Sequence, residues 1–191
     1  MPAIRTSPLD TALSRLDAQW GRHAGMHTAR GVRGELAETA TTLGIADVSA
    51  LLRTGLKGPR AAERLASLGI PVPEAPNRWL PTSDGGLVAR LGRSEFLVED
   101  AWSPGVVASR ANALRELASG VYPVPRQDCA LAITGAAAPA LFAETCAVPF
   151  AADDPSMRIV TLTSMVGVGV TVLRRDVGDL PCWRLWCDGT F

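Results

Sequence analysis

The sequence is poor in the side chains that carry covalent or acid–base chemistry. Its 191 residues include two histidines, one tyrosine and four cysteines. A nucleophilic enzyme needs a base beside its serine or cysteine, and the only histidines, His23 and His27, stand near the N-terminus, which argues against a catalytic triad. Charge of one sign is also lacking. Nineteen basic and nineteen acidic residues cancel, and the basic ones are scattered, so no electrostatic footprint for nucleic acid or an anionic membrane is present. No apolar run reaches the ~18 residues of a membrane span, and the N-terminus has no signal-peptide h-region, so a cytoplasmic protein is expected. Cys129, Cys146, Cys182 and Cys187 form no CxxC pair. They read as two disulfides, as a zinc site, or, in a reducing compartment, as buried small apolar residues.

Partial motifs fail on spacing. Gly55-Leu-Lys-Gly-Pro has the glycine and lysine of a phosphate loop without GxxxxGK[ST], and reads as a strand-to-helix turn. Gly167-Val-Gly lies in an apolar strand pattern with no third glycine, which points to close packing or a bulge. His23 and His27 have the i, i+4 spacing that puts two metal ligands on one helix face, but Gly25 intervenes and no glutamate accompanies them.

What is present is a duplication. An apolar strand runs into Gly58, then Pro59 and an alanine-rich helix; a second runs from Cys129 into Gly135, then Pro139 and another such helix. Proline near a helix start costs little because the first N–H groups have no partner there. A hairpin follows the first copy over 86–100 around Gly92-Arg93-Ser94, and strands follow the second over 158–163, 166–174 and 182–187. Residues 104–119 read as a helix with Val106, Val107, Ala111, Leu114 and Leu117 on one side. Before the first copy, Leu9, Leu13, Leu16 and Trp20 are spaced as in a helix, and residues 35–43 read as a helix stopped by Gly44. Strand-helix-hairpin twice implies an α+β fold on antiparallel sheet. The expected organisation is an N-terminal arm over 1–43 and a domain over 44–191, with pseudo-repeats at about 45–103 and 124–191.

The prolines of segment 68–81 favour an extended path over the surface. There Trp79, with Asn77 and Arg78, reads as an interface residue, since tryptophan is enriched at binding hot spots. Trp183 and Trp186 lie three apart on a strand and face opposite ways, so one is expected in the core and the other as a surface anchor. Arg126 and Asp128 read equally as an intersubunit ion pair or as a loop brace.

Five motifs in order, Leu56-Lys-Gly-Pro-Arg-Ala-Ala, Pro73-Glu-Ala-Pro-Asn-Arg, Gly86-Leu-Val-Ala-Arg-Leu-Gly-Arg-Ser-Glu-Phe-Leu, Val124-Pro-Arg-Gln-Asp and Ile133-Thr-Gly-Ala-Ala-Ala-Pro, resemble the gamma subunit of heterotetrameric sarcosine oxidase. The resemblance spans about residues 44–191. It implies the T-protein-like, aminomethyltransferase folate-binding-like fold and an accessory role in a complex that oxidatively demethylates an N-methyl amine. The one-carbon unit would pass to tetrahydrofolate or leave as formaldehyde. The resemblance implies no catalytic, cofactor or metal residue in this chain. FAD, FMN, NAD, tetrahydrofolate and zinc are expected in the partners: a T-protein-like alpha subunit, a flavin-bearing beta subunit and a small zinc-binding delta subunit. The alternative is a stand-alone folate or one-carbon-binding protein. Against it, the Arg-Thr-Gly-Tyr-Thr-Gly-Glu run of T-proteins is replaced by Arg174-Arg-Asp-Val-Gly-Asp-Leu-Pro, and the Lys-Gly-Cys-x-x-Gly-Gln motif of the iron–sulfur assembly relatives is absent. The family's terminal helix has no counterpart, as expected of a shorter relative or a fragment.

Overall fold

In the computed structural model, which describes residues 5–36, 38–150 and 154–190, the N-terminal segment is largely strand. β1 (Arg5–Thr6) and α1 (Asp10–Leu13) lead into β2 (Ala18–His23) and β3 (Met26–Val32), and the three strands form a sheet in the order β1-β3-β2. The helical spacing of Leu9, Leu13, Leu16 and Trp20 therefore misleads, because Trp20 stands on β2 opposite Ala29. The decisive local feature is the two-residue Ala24-Gly25 turn. Both residues have positive φ, 45° and 78°, the type I′ conformation whose twist suits a hairpin.

The repeats follow. α2 (Thr39–Leu43) runs into β4 (Gly44–Asp47), then β5 (Arg53–Lys57), α3 (Ala61–Ser67), β6 (Arg78–Pro81), β7 (Leu87–Arg90) and β8 (Glu95–Glu99). Two short helices, α4 (Val106–Ser109) and α5 (Ala111–Arg115), replace the single helix expected over 104–119. Arg110 leaves helical geometry between them, and Leu117 is 79% exposed. β9 (Tyr122–Pro125), β10 (Cys129–Thr134), α6 (Ala138–Thr145), β11 (Val160–Met165), β12 (Val168–Arg174) and β13 (Cys182–Cys187) complete the chain. Gly44 is extended, with φ −106°, and begins β4 instead of capping α2 in left-handed geometry.

Two five-stranded antiparallel sheets result, β6-β7-β8-β5-β9 and β11-β12-β13-β10-β4. Their orders correspond strand for strand once the leading strands are exchanged: β4, which precedes the first repeat, pairs with β10 of the second, and β9 pairs with β5. Registers correspond too, since Leu56 faces Phe96 and Ile133 faces Trp183. The described residues within 51–127 and 157–160 form one compact unit, and those within 1–50, 128–156 and 161–191 another. β4 belongs with the latter because it is hydrogen-bonded to β10.

Each unit has its own core. In one, Leu56, Val88, Phe96 and Val98 pack with Ala61 and Leu65 of α3, Val107 of α4 and Leu114 of α5. In the other, Ile133, Val172, Trp183 and Leu185 pack with Ala138 and Phe142 of α6, whose ring meets Trp183 edge-on at 5.6 Å. Burial of each large side chain contributes about 1.5–3 kcal/mol.

Proline closes the β9 edge. Gly58 N–H donates to Ser94 C=O, so even positions on β5 turn toward β8 and odd positions toward β9. Gly55 and Lys57 therefore bond to Val124 and Tyr122, which leaves Pro123 and Pro125 at the outward positions with no N–H to offer. At the β6 edge, Trp79 N–H donates to Arg158 C=O and Asn77 C=O accepts from Val160 N–H.

Gly135 has φ 98°, and a Cβ there would meet Thr42 carbonyl oxygen at 2.5 Å. Gly135→Ala is expected to cost at least about 2 kcal/mol, read as a lowered urea midpoint at unchanged m-value. The β11–β12 turn, Val166-Gly167, has φ 50° and 80° and projects a β-branched residue into open solvent, so the expected bulge is a type I′ turn. Val166→Asn should stabilise by about 1 kcal/mol, and an unchanged thermal midpoint would refute that assignment.

Candidate functional site

In the 51–127 unit, one sheet face is covered by α3, α4 and α5, and the opposite face carries charge. Pairing places Arg53 opposite Glu99, Gly55 opposite Leu97 and Lys57 opposite Glu95. Across the ladder, Leu87 and Ala89 of β7 and Trp79 of β6 continue the same face. Arg53 Nε donates to Glu99 Oε2 at 2.9 Å, with side chains 2% and 1% exposed. Glu95 lies 3.4 Å from Lys57 Nζ and accepts from Arg126 Nη2 at 3.1 Å. Gly55 makes the room, because a Cβ there would stand 3.3 Å from Arg126 Nε and 3.1 Å from Val124 Cβ.

The sister sheet shows how unusual the ion pair is. The positions equivalent to Arg53 and Glu99 are Ala130 and Trp186, which face each other in the same register. An apolar pair thus serves in one half where the other buries two charges. Desolvating both charges costs several kcal/mol per ion before their attraction offsets it, so core stability alone does not call for this pair.

Other charged groups serve the backbone. Asp100 accepts from the N–H groups of Gly105, Val107 and Ala108 at 2.9, 2.7 and 3.0 Å and fixes the start of α4. Burial would raise the Asp84 carboxyl, but the Thr82 hydroxyl and backbone N–H donors, Gly86 among them, hold it below its ordinary value. Arg90 donates to the carbonyls of Pro73, Glu74, Gly92 and Arg93 and lies over Phe96, tying the proline-rich segment to the hairpin. In the other unit, Arg174 donates to both Asp176 oxygens at 2.9 and 3.0 Å and lies over Trp183, while Asp176 accepts from Cys182 N–H. Arg174 and Asp176 thus hold each other, and Asp176 holds the start of β13.

Within the 51–127 unit, the residues singled out from the sequence lie at opposite edges of one sheet. Asn77, exposed and with φ 58°, and Arg78 lead into and begin β6. Trp79 is 6% exposed, so the expectation of a surface tryptophan is corrected: it lies on a strand whose backbone is bonded on both sides. Arg126 lies beyond β9 at the other side of that sheet and pairs with Glu95. Asp128 belongs to the other unit and is half-buried. Trp183 and Trp186 are both buried, at 1% and 3%, so neither is a surface anchor. His23 and His27 stand on β2 and β3 instead of on a helix; His27 stacks on Trp20 at 4.5 Å and contacts Asp10 at 3.4 Å, while burial and Arg30 hold His23 below its ordinary pKa. Among the described residues no three His, Cys, Asp or Glu side chains cluster as metal ligands. The Arg53–Glu99 pair escaped sequence reading because its members lie 46 positions apart in ordinary strand patterns.

Removing one partner of a buried ion pair takes away the opposite charge that offsets the cost of burying the other. Glu99→Leu or Arg53→Met alone should cost about 3–5 kcal/mol, and the double substitution distinctly less than either. Denaturant unfolding of the four proteins checks this; additive losses would show that the charges do not act as a pair.

No protein-family model matches the sequence, and no curated protein does so either. Solved structures do match. Aminomethyltransferase T of the glycine cleavage system from Bartonella henselae superposes with a TM-score of 0.73 at 16% identity, over 98% of this chain and 55% of that one. This chain thus spans about half the length of that enzyme. A chain of the heterotetrameric sarcosine oxidase from Corynebacterium sp. U-96, in complex with pyrrole 2-carboxylate, superposes with a TM-score of 0.67 at 18% identity, over 99% of this chain and 89% of that one. The likeness shows the fold, an α+β arrangement of antiparallel sheets of the T-protein type.

Proposed function

We propose that this chain is a non-catalytic accessory subunit of a sarcosine-oxidase-like complex that oxidatively demethylates an N-methyl amine, with the one-carbon unit passed to tetrahydrofolate or released as formaldehyde. The observation that carries the reading is the match in extent. The chain and its sarcosine oxidase neighbour cover 99% and 89% of one another, whereas it covers only 55% of the aminomethyltransferase. In this reading FAD, FMN, NAD, tetrahydrofolate and zinc belong to the partner subunits: a T-protein-like alpha, a flavin-bearing beta and a zinc-binding delta.

The side chains support a packing role. Glu99 and Asp100, the fully buried carboxylates among the described residues, bind Arg53 and the start of α4. Exposed Leu117 and Tyr122, 79% and 58% accessible, flank the Ala118–Val121 bridge and offer apolar surface for a partner to cover. Asn77, Arg78, Arg126 and Asp128 are proposed as polar contacts at subunit boundaries, with buried Trp79 supporting the first two from beneath the strand.

A stand-alone folate-binding protein is the second reading, favoured by the higher TM-score of the aminomethyltransferase. Against it, Arg174 and Asp176 occupy one another where T-proteins present their conserved run.

Affinity purification of the chain from its native cells, with subunit identification and a visible spectrum, decides between them. Larger subunits and a flavin spectrum are expected to accompany it, and the isolated chain should be colourless. A lone chain whose tryptophan fluorescence is quenched by tetrahydrofolate would overturn the accessory reading in favour of the second.

A further inference from the structure

Two of the four cysteines face each other. In the β10–β13 ladder Cys129 stands directly opposite Cys187. Val48 N–H donates to Ala130 C=O, so Ala130 turns its backbone groups toward β4 and Cys129 turns its own toward β13. The cysteines thus form a hydrogen-bonded cross-strand pair, whose Cα atoms lie about 5.5 Å apart, within the roughly 4.4–6.8 Å that a disulfide spans. Opposed residues project from the same face, which sets the two thiols side by side. Cys129 is buried and Cys187 half-buried, so solvent reaches the pair at Cys187.

Both thiols are protonated at neutral pH. Burial, then the neighbouring Cys187 and Asp47, push Cys129 up to about 11, and burial with Asp128 and Asp188 raises Cys187. These shifts rule out a fast-reacting thiolate and suit slow closure by exchange.

We propose that Cys129 and Cys187 are a modification site, closed to a reversible cross-strand disulfide by a small-molecule disulfide such as oxidised glutathione. Cys187, deprotonated by solvent, attacks one glutathione sulfur, forms a mixed disulfide and expels a glutathione thiolate. Cys129, after losing its proton, attacks Cys187 Sγ, forms the Cys129–Cys187 bond and expels the second thiolate. Two protein thiols are oxidised, one glutathione disulfide is reduced, and the two protons end on the two glutathione thiols. Opposed Cβ atoms in a ladder lie about 4.5–5.5 Å apart, farther than the ~3.8 Å mean of a disulfide. Closure therefore bends the ladder and leaves a bond that is easily reduced. This site does not depend on the accessory-subunit reading.

The test uses the full chain, incubated with oxidised glutathione, alkylated and digested with trypsin. Free thiols should fall from four to two, and peptide 127–158 should be joined to peptide 185–191. Because the first peptide also holds Cys146, fragmentation must place the bond on Cys129. Dithiothreitol should restore all four thiols. Cys146→Ser and Cys182→Ser should keep the crosslink, and Cys187→Ser should lose it; Cys129→Ala, which puts no hydroxyl in the buried position, should lose it as well. An unchanged thiol count, a glutathione adduct that persists on Cys187, or a crosslink between any other pair would overturn the proposal.

Discussion

Backbone hydrogen bonding between β4 and β10 and between β5 and β9 is the constraint on which the rest of the structure depends. Each repeat leaves a bonding edge on its first strand, and the leading strand of the other repeat fills it. An unpaired edge of this kind is costly and invites wrong pairing, so neither sheet is finished until distant parts of the chain have met. Folding must therefore wait for contacts between residues 44–47 and 131–134, and loop-closure entropy makes such long-range pairings slow.

Charged side chains are largely taken up in holding backbone. Those at strand ends show it: Asp100 at the start of α4, Arg90 at the proline-rich segment, and Asp176, paired with Arg174, at the start of β13. The Arg53–Glu99 pair stands apart, since its sister position is filled by Ala130 and Trp186 without charge. Burying both charges costs several kcal/mol per ion, so the two halves differ in kind on this face of the sheet.

The sequence disclosed the features that are local. Gly58 and Gly135, the hairpin over 86–100 and the strands after α6 were legible, because a strand entering a positive-φ glycine before an alanine-rich helix is a short-range signal. Strand exchange was not legible, since nothing in 44–47 names a partner beyond residue 128. Trp79 misled for a similar reason. Proline density favours an extended surface path, but the 158–160 stretch that hydrogen-bonds along β6 lies some 80 positions away, so the tryptophan looked exposed and is not. Of the candidate interface residues, Arg126 is taken up by Glu95 across the neighbouring strands, a pairing that no local pattern announces.

The paired prolines of β9 have a consequence for assembly. A protein that joins others by lending a strand edge gains affinity from main-chain bonds that any extended peptide can supply, and so risks promiscuity. With Pro123 and Pro125 in the outward positions, this edge offers carbonyls without the alternating donors that such zippering needs. Any protein that meets the chain here must be recognised by the shape and chemistry of side chains, which trades easy adhesion for selectivity and keeps copies of the chain from stacking into fibres along that edge.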